Sequence, residues 1–248
     1  MIRGRSCILT YHSLDISGSV ISIRPEVFRR QMAFLAESST PVVPLSVVRD
    51  TPGAVALTFD DGFRNFFEHA FPVLHECRFP ATVFVVSRYC GRQNDWPTQP
   101  RNSGIPLMDL MDWNEVAEIS RAGVEIGCHT ATHPRMAELS AVEIEEELSG
   151  SRAAIEDRIG RPVRTFAYPY GELTPAVRTA VQRHFPSACG IRLAYLSATS
   201  DILDLPRIDV YYLQKRFWFE GLRSLRGIAY LEARGALRQV RQRLKASH

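Results

Sequence analysis

Apolar residues in this chain fall into blocks of two kinds. Unbroken apolar runs occupy 6–11, 54–59 and 81–86, the last reading Ala81-Thr82-Val83-Phe84-Val85-Val86. Runs this uniform and rich in β-branched and aromatic residues predict strands covered on both faces, as in a parallel sheet. Shorter runs at 124–128, 163–168, 187–191 and 205–210 predict further strands. Between them the apolar spacing changes to three and four. Over 25–36 it places Phe28, Met32, Leu35 and Ala36 on one helical face. Helices are also expected over 65–77, 113–122, 140–159 and 173–185. Ser140 and Glu143 have capping-box spacing, and Gly160 stops that helix. The segment 91–106 is rich in Pro, Gly, Asn and Gln, a long loop fit to roof a groove. Strands alternating with helices predict an α/β fold around a parallel sheet, with no internal repeat.

Three short motifs follow these strands. Thr58-Phe59-Asp60-Asp61-Gly62 puts two carboxylates at the end of one run. His129-Thr130-Ala131-Thr132-His133 separates two imidazoles by four residues, a spacing that on a helical turn sets both on one face. Tyr168-Pro169-Tyr170-Gly171 follows a third run. Alone, Asp-Asp-Gly is more often a turn, and two such histidines can be a surface pair. Together, at strand C-terminal ends, they converge, because barrel enzymes build their sites on that face. Two imidazoles and one carboxylate leave an open position on a metal ion for water or a substrate oxygen. The second carboxylate is then free to accept a proton.

In these residues the chain resembles the polysaccharide deacetylases, or NodB-homology deacetylases, which remove N-acetyl groups from amino sugars. The resemblance implies a distorted (β/α) barrel of about seven parallel strands. It implies Asp60 as the base and Asp61, His129 and His133 as metal ligands. It also implies that Tyr170, with Pro169 and Gly171, lines the groove and supplies a backbone N–H to the oxyanion. The order and joint presence of the motifs, over about half the chain, make the match specific.

Two departures stand out. The family usually carries an arginine against the base where this chain has Ala167, and Arg207, after Leu205-Pro206, is the replacement we expect. The family's acid histidine commonly lies near the C-terminal end. Beyond His184, a helix-face residue, this chain has only the terminal His248. His12, at the end of the first strand, is therefore expected to be the acid, facing the ion from the side opposite Asp60, as in the branch with an N-terminal acid histidine. Asp109-Leu110-Met111-Asp112-Trp113 spells the family's fourth motif but precedes the second, so it is taken as a helix start whose Trp113 packs locally. Cys128 should face the core, away from His129. His69 and His75 are structural or exposed.

At 248 residues, 45% hydrophobic and 23% charged, the chain suits one soluble catalytic domain over 1–214. The remainder, 215–248, has a net charge of +7 against −4 for the rest, and is both apolar and basic. It reads as a helical extension across the barrel. An alternative is peripheral contact with an anionic membrane. Charge without a recognition motif gives no reason to expect nucleic acid. No long apolar stretch precedes the first strand, and five scattered cysteines show no disulfide framework, so a cytoplasmic enzyme is expected. The expected activity is metal-dependent removal of N-acetyl groups from a glycan or lipid-linked saccharide. Zn is the default ion, although Co, Ni or Mn accept the same donors. Hydrolysis of another acyl amide or ester, such as a formyl group, and a catalytically silent glycan-binding barrel remain as alternatives.

Overall fold

The computed structural model describes residues 5–99 and 104–246. Strands β1 (Cys7–Tyr11), β4 (Val55–Phe59), β5 (Ala81–Val85), β6 (Glu125–Cys128), β7 (Thr165–Ala167), β8 (Ser187–Cys189) and β9 (Ile208–Asp209) form one sheet. Its order is β8-β7-β6-β5-β4-β1-β9, with every pairing parallel. The sheet curls into a distorted (β/α) barrel, as expected. Two-residue strands β2 (Ser13–Leu14) and β3 (Ser22–Ile23) form a small separate ladder. Helices α1 (Pro25–Glu37), α2 (Phe71–Cys77), α3 (Trp113–Arg121), α4 (Ala141–Ile159) and α5 (Pro175–His184) connect the strands.

The helix expected over 65–77 is not uniform. Its first part, Phe66–Ala70, is a π-helix. Pro72 has no N–H to donate to residue 68, and the Phe71 N–H reaches back five residues to the Phe66 carbonyl. The strands expected over 163–168, 187–191 and 205–210 are shorter than their apolar runs: β7 begins only at Thr165, β8 ends at Cys189, and β9 begins only at Ile208, Leu205 making a lone bridge to Cys189. Asp112 and Ser140 cap α3 and α4 in capping boxes, and Gly160 ends α4 at φ 65°. Trp113 packs locally, with the Arg158 guanidinium 5.6 Å from its ring centroid.

Side chains along each strand alternate between two clusters. Cys7, Leu9, Tyr11, Val55, Leu57 and Phe59 pack outward under the helices, where the Tyr11 and Phe59 rings stack at 5.0 Å. Ile8, Ala56, Phe84, Ala167 and Cys189 fill the barrel interior. The alternation therefore carries the inner rows upward through Thr10 and Thr58 to His12 and Asp60. Strand register brings these two together: Tyr11 is opposite Phe59, and the Asp60 N–H donates to the Tyr11 carbonyl at 3.0 Å. Cys128 belongs to the outer cluster, its Sγ 2.9 Å from Ser151 Oγ, as its strand parity requires.

The extension holds α6 (Arg216–Glu220) and α7 (Leu225–Ala246). It is anchored by buried Phe219, Leu222 and Leu231 and by Trp218 stacked on Tyr230 at 3.9 Å. Among the described residues, no helix is long and apolar enough to cross a membrane.

Gly127, on β6, leaves no room for a side chain in the barrel interior. A Cβ there would lie 2.4 Å from Phe84 Cδ1 and 2.8 Å from Thr165 Oγ1. Gly127→Ala should cost about 1–3 kcal/mol of stability by overpacking, read as a lowered denaturation midpoint.

Candidate active site

Asp60 and Asp61 leave β4 in opposite directions. Asp60 continues the inner row, whereas Asp61 takes the left-handed conformation, φ 70°, followed by Gly62 at φ 74°. This turn swings the Asp61 carboxylate toward the end of β6. There, the His129 N–H donates to the Val85 carbonyl at 3.0 Å, fixing the residue beyond the sheet. Asp61 Oδ1 is 3.3 Å from His129 Nε2 and 3.4 Å from His133 Nε2, and all three side chains are buried. A tetrahedral ion with bonds of about 2.0–2.1 Å separates its donors by about 3.3–3.4 Å.

Residues 129–133 are not a helical turn, contrary to the spacing argument. Thr130 and His133 both adopt positive φ, 68° and 55°. The His133 N–H donates to Thr130 Oγ1 at 3.0 Å, closing the loop. Glu147, on α4, holds it from outside by accepting the Ala131 and Thr132 N–H groups at 2.8 and 2.9 Å. The i, i+4 separation still brings both imidazoles to one point, but through this strained loop.

The donor set fits a metal. His129 Nδ1 lies 2.7 Å from the Ala167 carbonyl, which holds a proton on that nitrogen and turns Nε2 toward Asp61. Burial lowers the His133 pKa to about 3, so that its imidazole is neutral. Burial works against charge on Asp61, but the hydrogen bond from His129 and the neighbouring imidazoles hold its carboxyl well below the usual range. Burial works against charge on His129, but the hydrogen bond to Asp61 and the two carboxylates outweigh it and raise its pKa. An ion at this point would therefore take the place of the His129 Nε2 proton and meet one anionic oxygen and two nitrogens.

Arg207 meets Asp60 in a buried, two-pronged pair, with Nη1 to Oδ1 at 2.6 Å and Nη2 to Oδ2 at 2.8 Å. Its Nε donates to the Gly190 carbonyl at 3.0 Å. Burial raises the Asp60 pKa, but Arg207, with His12 and His129 adding, reverses this and lowers it overall. Arg207 thus stands where the sequence comparison with Ala167 asked for a cation.

His12 Nε2 is 3.7 Å from Asp60 Oδ2. The expectation that His12 faces the site from the side opposite Asp60 is therefore corrected: adjacent inner rows of paired strands place the two side by side. His12 remains in the cavity wall and is partly open to solvent. His184 sits on α5 against Glu145, and His248 lies outside the described residues.

The cavity above these groups has a volume of about 510 Å³. Tyr170 lines it, its ring 4.7 Å from that of His133, and Tyr170 Oη lies 3.0 Å from Thr98 Oγ1. Pro169 and Gly171, also expected at the groove, do not line the cavity but shape the turn beneath it. Pro169 is buried, and Gly171, at φ 69°, packs so closely on Ile191 that a Cβ would come within 2.1 Å. Sequence reasoning missed Trp96, which is buried against the face of His133 with centroids 4.3 Å apart. The only signal for it was an aromatic residue within the loop expected to roof the groove. Asn94, Trp96 and Gln99 of that loop do line the cavity, whereas residues 100–103 lie outside the described residues.

Known proteins agree with this architecture. The polysaccharide deacetylase family matches residues 48–185, and the chain belongs to that family. The Bacillus subtilis (strain 168) protein YxkH is 22% identical over 184 residues, 71% of this chain and 60% of that protein. The poly-β-1,6-N-acetyl-D-glucosamine N-deacetylase of Escherichia coli (strain K12) is 28% identical over 134 residues, 49% of this chain. The chain spans only 20% of that relative's length. Among solved structures, IcaB from Ammonifex degensii superposes with a TM-score of 0.73 at 22% identity, covering 91% of this chain and 98% of its own. This last likeness is one of fold.

Arg207→Met tests the pair without reference to turnover. In the folded chain Asp60 ionises below its ordinary 3.8, so its contribution to stability is present above that value and is lost as pH falls below it. Without Arg207, only His12 and His129 oppose burial, and the Asp60 pKa should rise. The variant should lose about 3–5 kcal/mol at neutral pH, and the further loss that acidification causes through this group should shrink. Unfolding of chelator-treated protein across pH reads both.

Proposed function

We propose that the protein is a divalent-metal-dependent N-deacetylase acting on an N-acetylated amino-sugar saccharide. The observation that carries this reading is the Asp61, His129 and His133 cluster beside an Arg207-clamped Asp60, all opening onto one cavity. The name of the Escherichia coli relative supports amino-sugar deacetylation as the reaction.

Asp61, His129 and His133 would hold the ion. Zn is the first choice, and Co, Ni or Mn suit the same donors. A bound divalent ion supplies Lewis acidity that acidifies water and polarises the acetamide carbonyl. The chain's own residues do the rest. Asp60, kept ionised and oriented by Arg207, accepts a proton from the attacking water. The Tyr170 backbone N–H is assigned to the developing oxyanion. As the C–N bond breaks, His12 protonates the amine, and acetate leaves. The 3.7 Å between His12 and Asp60 then lets the proton gained by one replace the proton spent by the other.

We place the enzyme in the cytoplasm, since all five cysteines are free. The basic extension, with Phe217, Leu225, Leu237 and Val240 exposed, offers a peripheral contact to an anionic membrane face.

Acetate release from a panel of N-acetylated oligosaccharides, with and without chelator, tests the reaction. Activity that survives complete metal removal, or formate release in place of acetate, would overturn the reading. His129→Ala, His133→Ala and Asp61→Ala should each lower metal content and hydrolysis together. Asp60→Asn should keep the metal and lose turnover. An Asp60→Asn protein that lost its metal while Asp61→Asn retained it would reverse the two roles.

His12→Ala should keep the fold and the metal but lose about 10²–10⁴ in rate on acetamides. The loss should be smaller on activated acetate esters, whose leaving groups need less protonation. Equal losses on both substrate types would refute His12 as the acid.

A further inference from the structure

Arg238 is a cation that the deacetylation scheme leaves unused. It projects from α7 into the wall of the same cavity that holds Asp60 and His133, and Tyr211 and Tyr212 line that cavity with it. Among the described residues no carboxylate pairs with it. The three acidic residues in the cavity wall are otherwise engaged. Asp60 is clamped by Arg207, and Asp61 faces the two histidines. Asp209 Oδ1 accepts the Tyr211 N–H at 2.9 Å.

The helix is set in place rather than lying loosely over the opening. Leu231 is buried, and Gly235 packs so tightly that a Cβ would lie 2.6 Å from the Leu193 carbonyl oxygen. One turn before Arg238, the Arg234 guanidinium lies 5.7 Å from the Tyr212 ring centroid and 5.4 Å from that of Tyr230. These contacts hold α7 in register, so the side chain one turn further on is delivered to the cavity. The segment that supplies it is also the part of the chain where positive charge is concentrated, +7 over residues 215–248.

A guanidinium can donate to the hydroxyls of a neutral sugar, but with no carboxylate paired to it among the described residues its charge favours an anionic group. A guanidinium offers a fork of donors that matches the paired oxygens of a phosphate or carboxylate. We propose that Arg238, with Tyr211 and Tyr212 in the same cavity wall, forms an oxyanion-binding subsite, and that the substrate bears a phosphate or carboxylate near the acetamide sugar. This deepens the deacetylase reading and rests on it for the identity of the reacting group. The tyrosines would pack against the sugar ring adjoining the anion, because an aromatic face suits the apolar side of a pyranose.

The test compares acetate release by the metal-loaded full chain from three β-linked N-acetylglucosamine tetramers: unmodified, phosphorylated at the reducing end, and ending in a uronic acid. At low salt, at least one anionic tetramer should be preferred by about tenfold in kcat/KM, as one charge-assisted contact would give. Which one it is separates phosphate from carboxylate. Arg238→Gln should reduce that preference to near unity, chiefly through KM, and Arg238→Lys should restore part of it. Equal kcat/KM for neutral and anionic tetramers, or a preference that survives Arg238→Gln, overturns the subsite. If no tetramer is deacetylated, the reaction assigned above fails instead. Calorimetric binding of the phosphorylated, uronate and neutral tetramers to the wild-type and Arg238→Gln chains then decides the subsite: tighter binding of either anion, lost in the variant, supports it, and equal binding refutes it.

Discussion

The paired charges of Arg207 and Asp60 hold the catalytic end of this barrel together. The sheet runs from β8 to β9 without those edge strands pairing with each other. Arg207 sits at that seam. Its N–H donates to the Arg192 carbonyl, its Nε donates to the Gly190 carbonyl, and its guanidinium crosses to Asp60 at the end of β4. A buried guanidinium without a counter-charge would be strongly unfavourable, as would a buried carboxylate. Each therefore requires the other, and the requirement fixes the segment between β8 and β9 against the site. A single ion pair thereby links the closure of the fold to the charge state of the group assigned as base.

The rest of the site follows from which way side chains leave the strand ends. Inner rows end in His12 and Asp60, so those two groups are neighbours by strand parity. Asp61 would point outward by the same rule, and only its left-handed backbone turns it toward the histidines. The loop from His129 to His133 needs two more left-handed residues, and Glu147 satisfies the N–H groups that this shape exposes. Strain is thus concentrated at the cluster and held by hydrogen bonds that the loop donates to Glu147 on α4, which preorganises the donors. Trp96 and Tyr170 close around His133 and keep it neutral by exclusion of water.

The extension extends the same logic outward. Its anchors, Leu231 and the stacked pair Trp218 and Tyr230, are apolar and aromatic, while its charge is carried on the other positions. Through these anchors the extension joins the hydrophobic cluster outside the sheet, and α7 places Arg238 in the cavity wall.

Much was legible along the chain because local rules dominate there. Uniform apolar runs marked the parallel strands, capping residues marked α3 and α4, and three motifs at strand ends marked Asp60, Asp61, His129 and His133 as one cluster. The spacing of the histidines predicted their convergence but gave the wrong local shape, since a loop with positive φ and a helical turn can both join residues four apart. Arg207 could be singled out as a cation after a late strand, yet its contact with Asp60 depends on β9 lying beside β1, a pairing nearly 200 residues apart that no local pattern encodes. The position of His12 beside Asp60 likewise came from the register of β1 on β4, and the roles of Trp96 and Arg238 in the cavity wall came from the packing of a loop and a distant helix. The sequence by itself determined the elements and the chemistry available at their ends. Tertiary structure decided which ends meet, because only the pairing and curling of the sheet bring strands from distant parts of the chain to one rim.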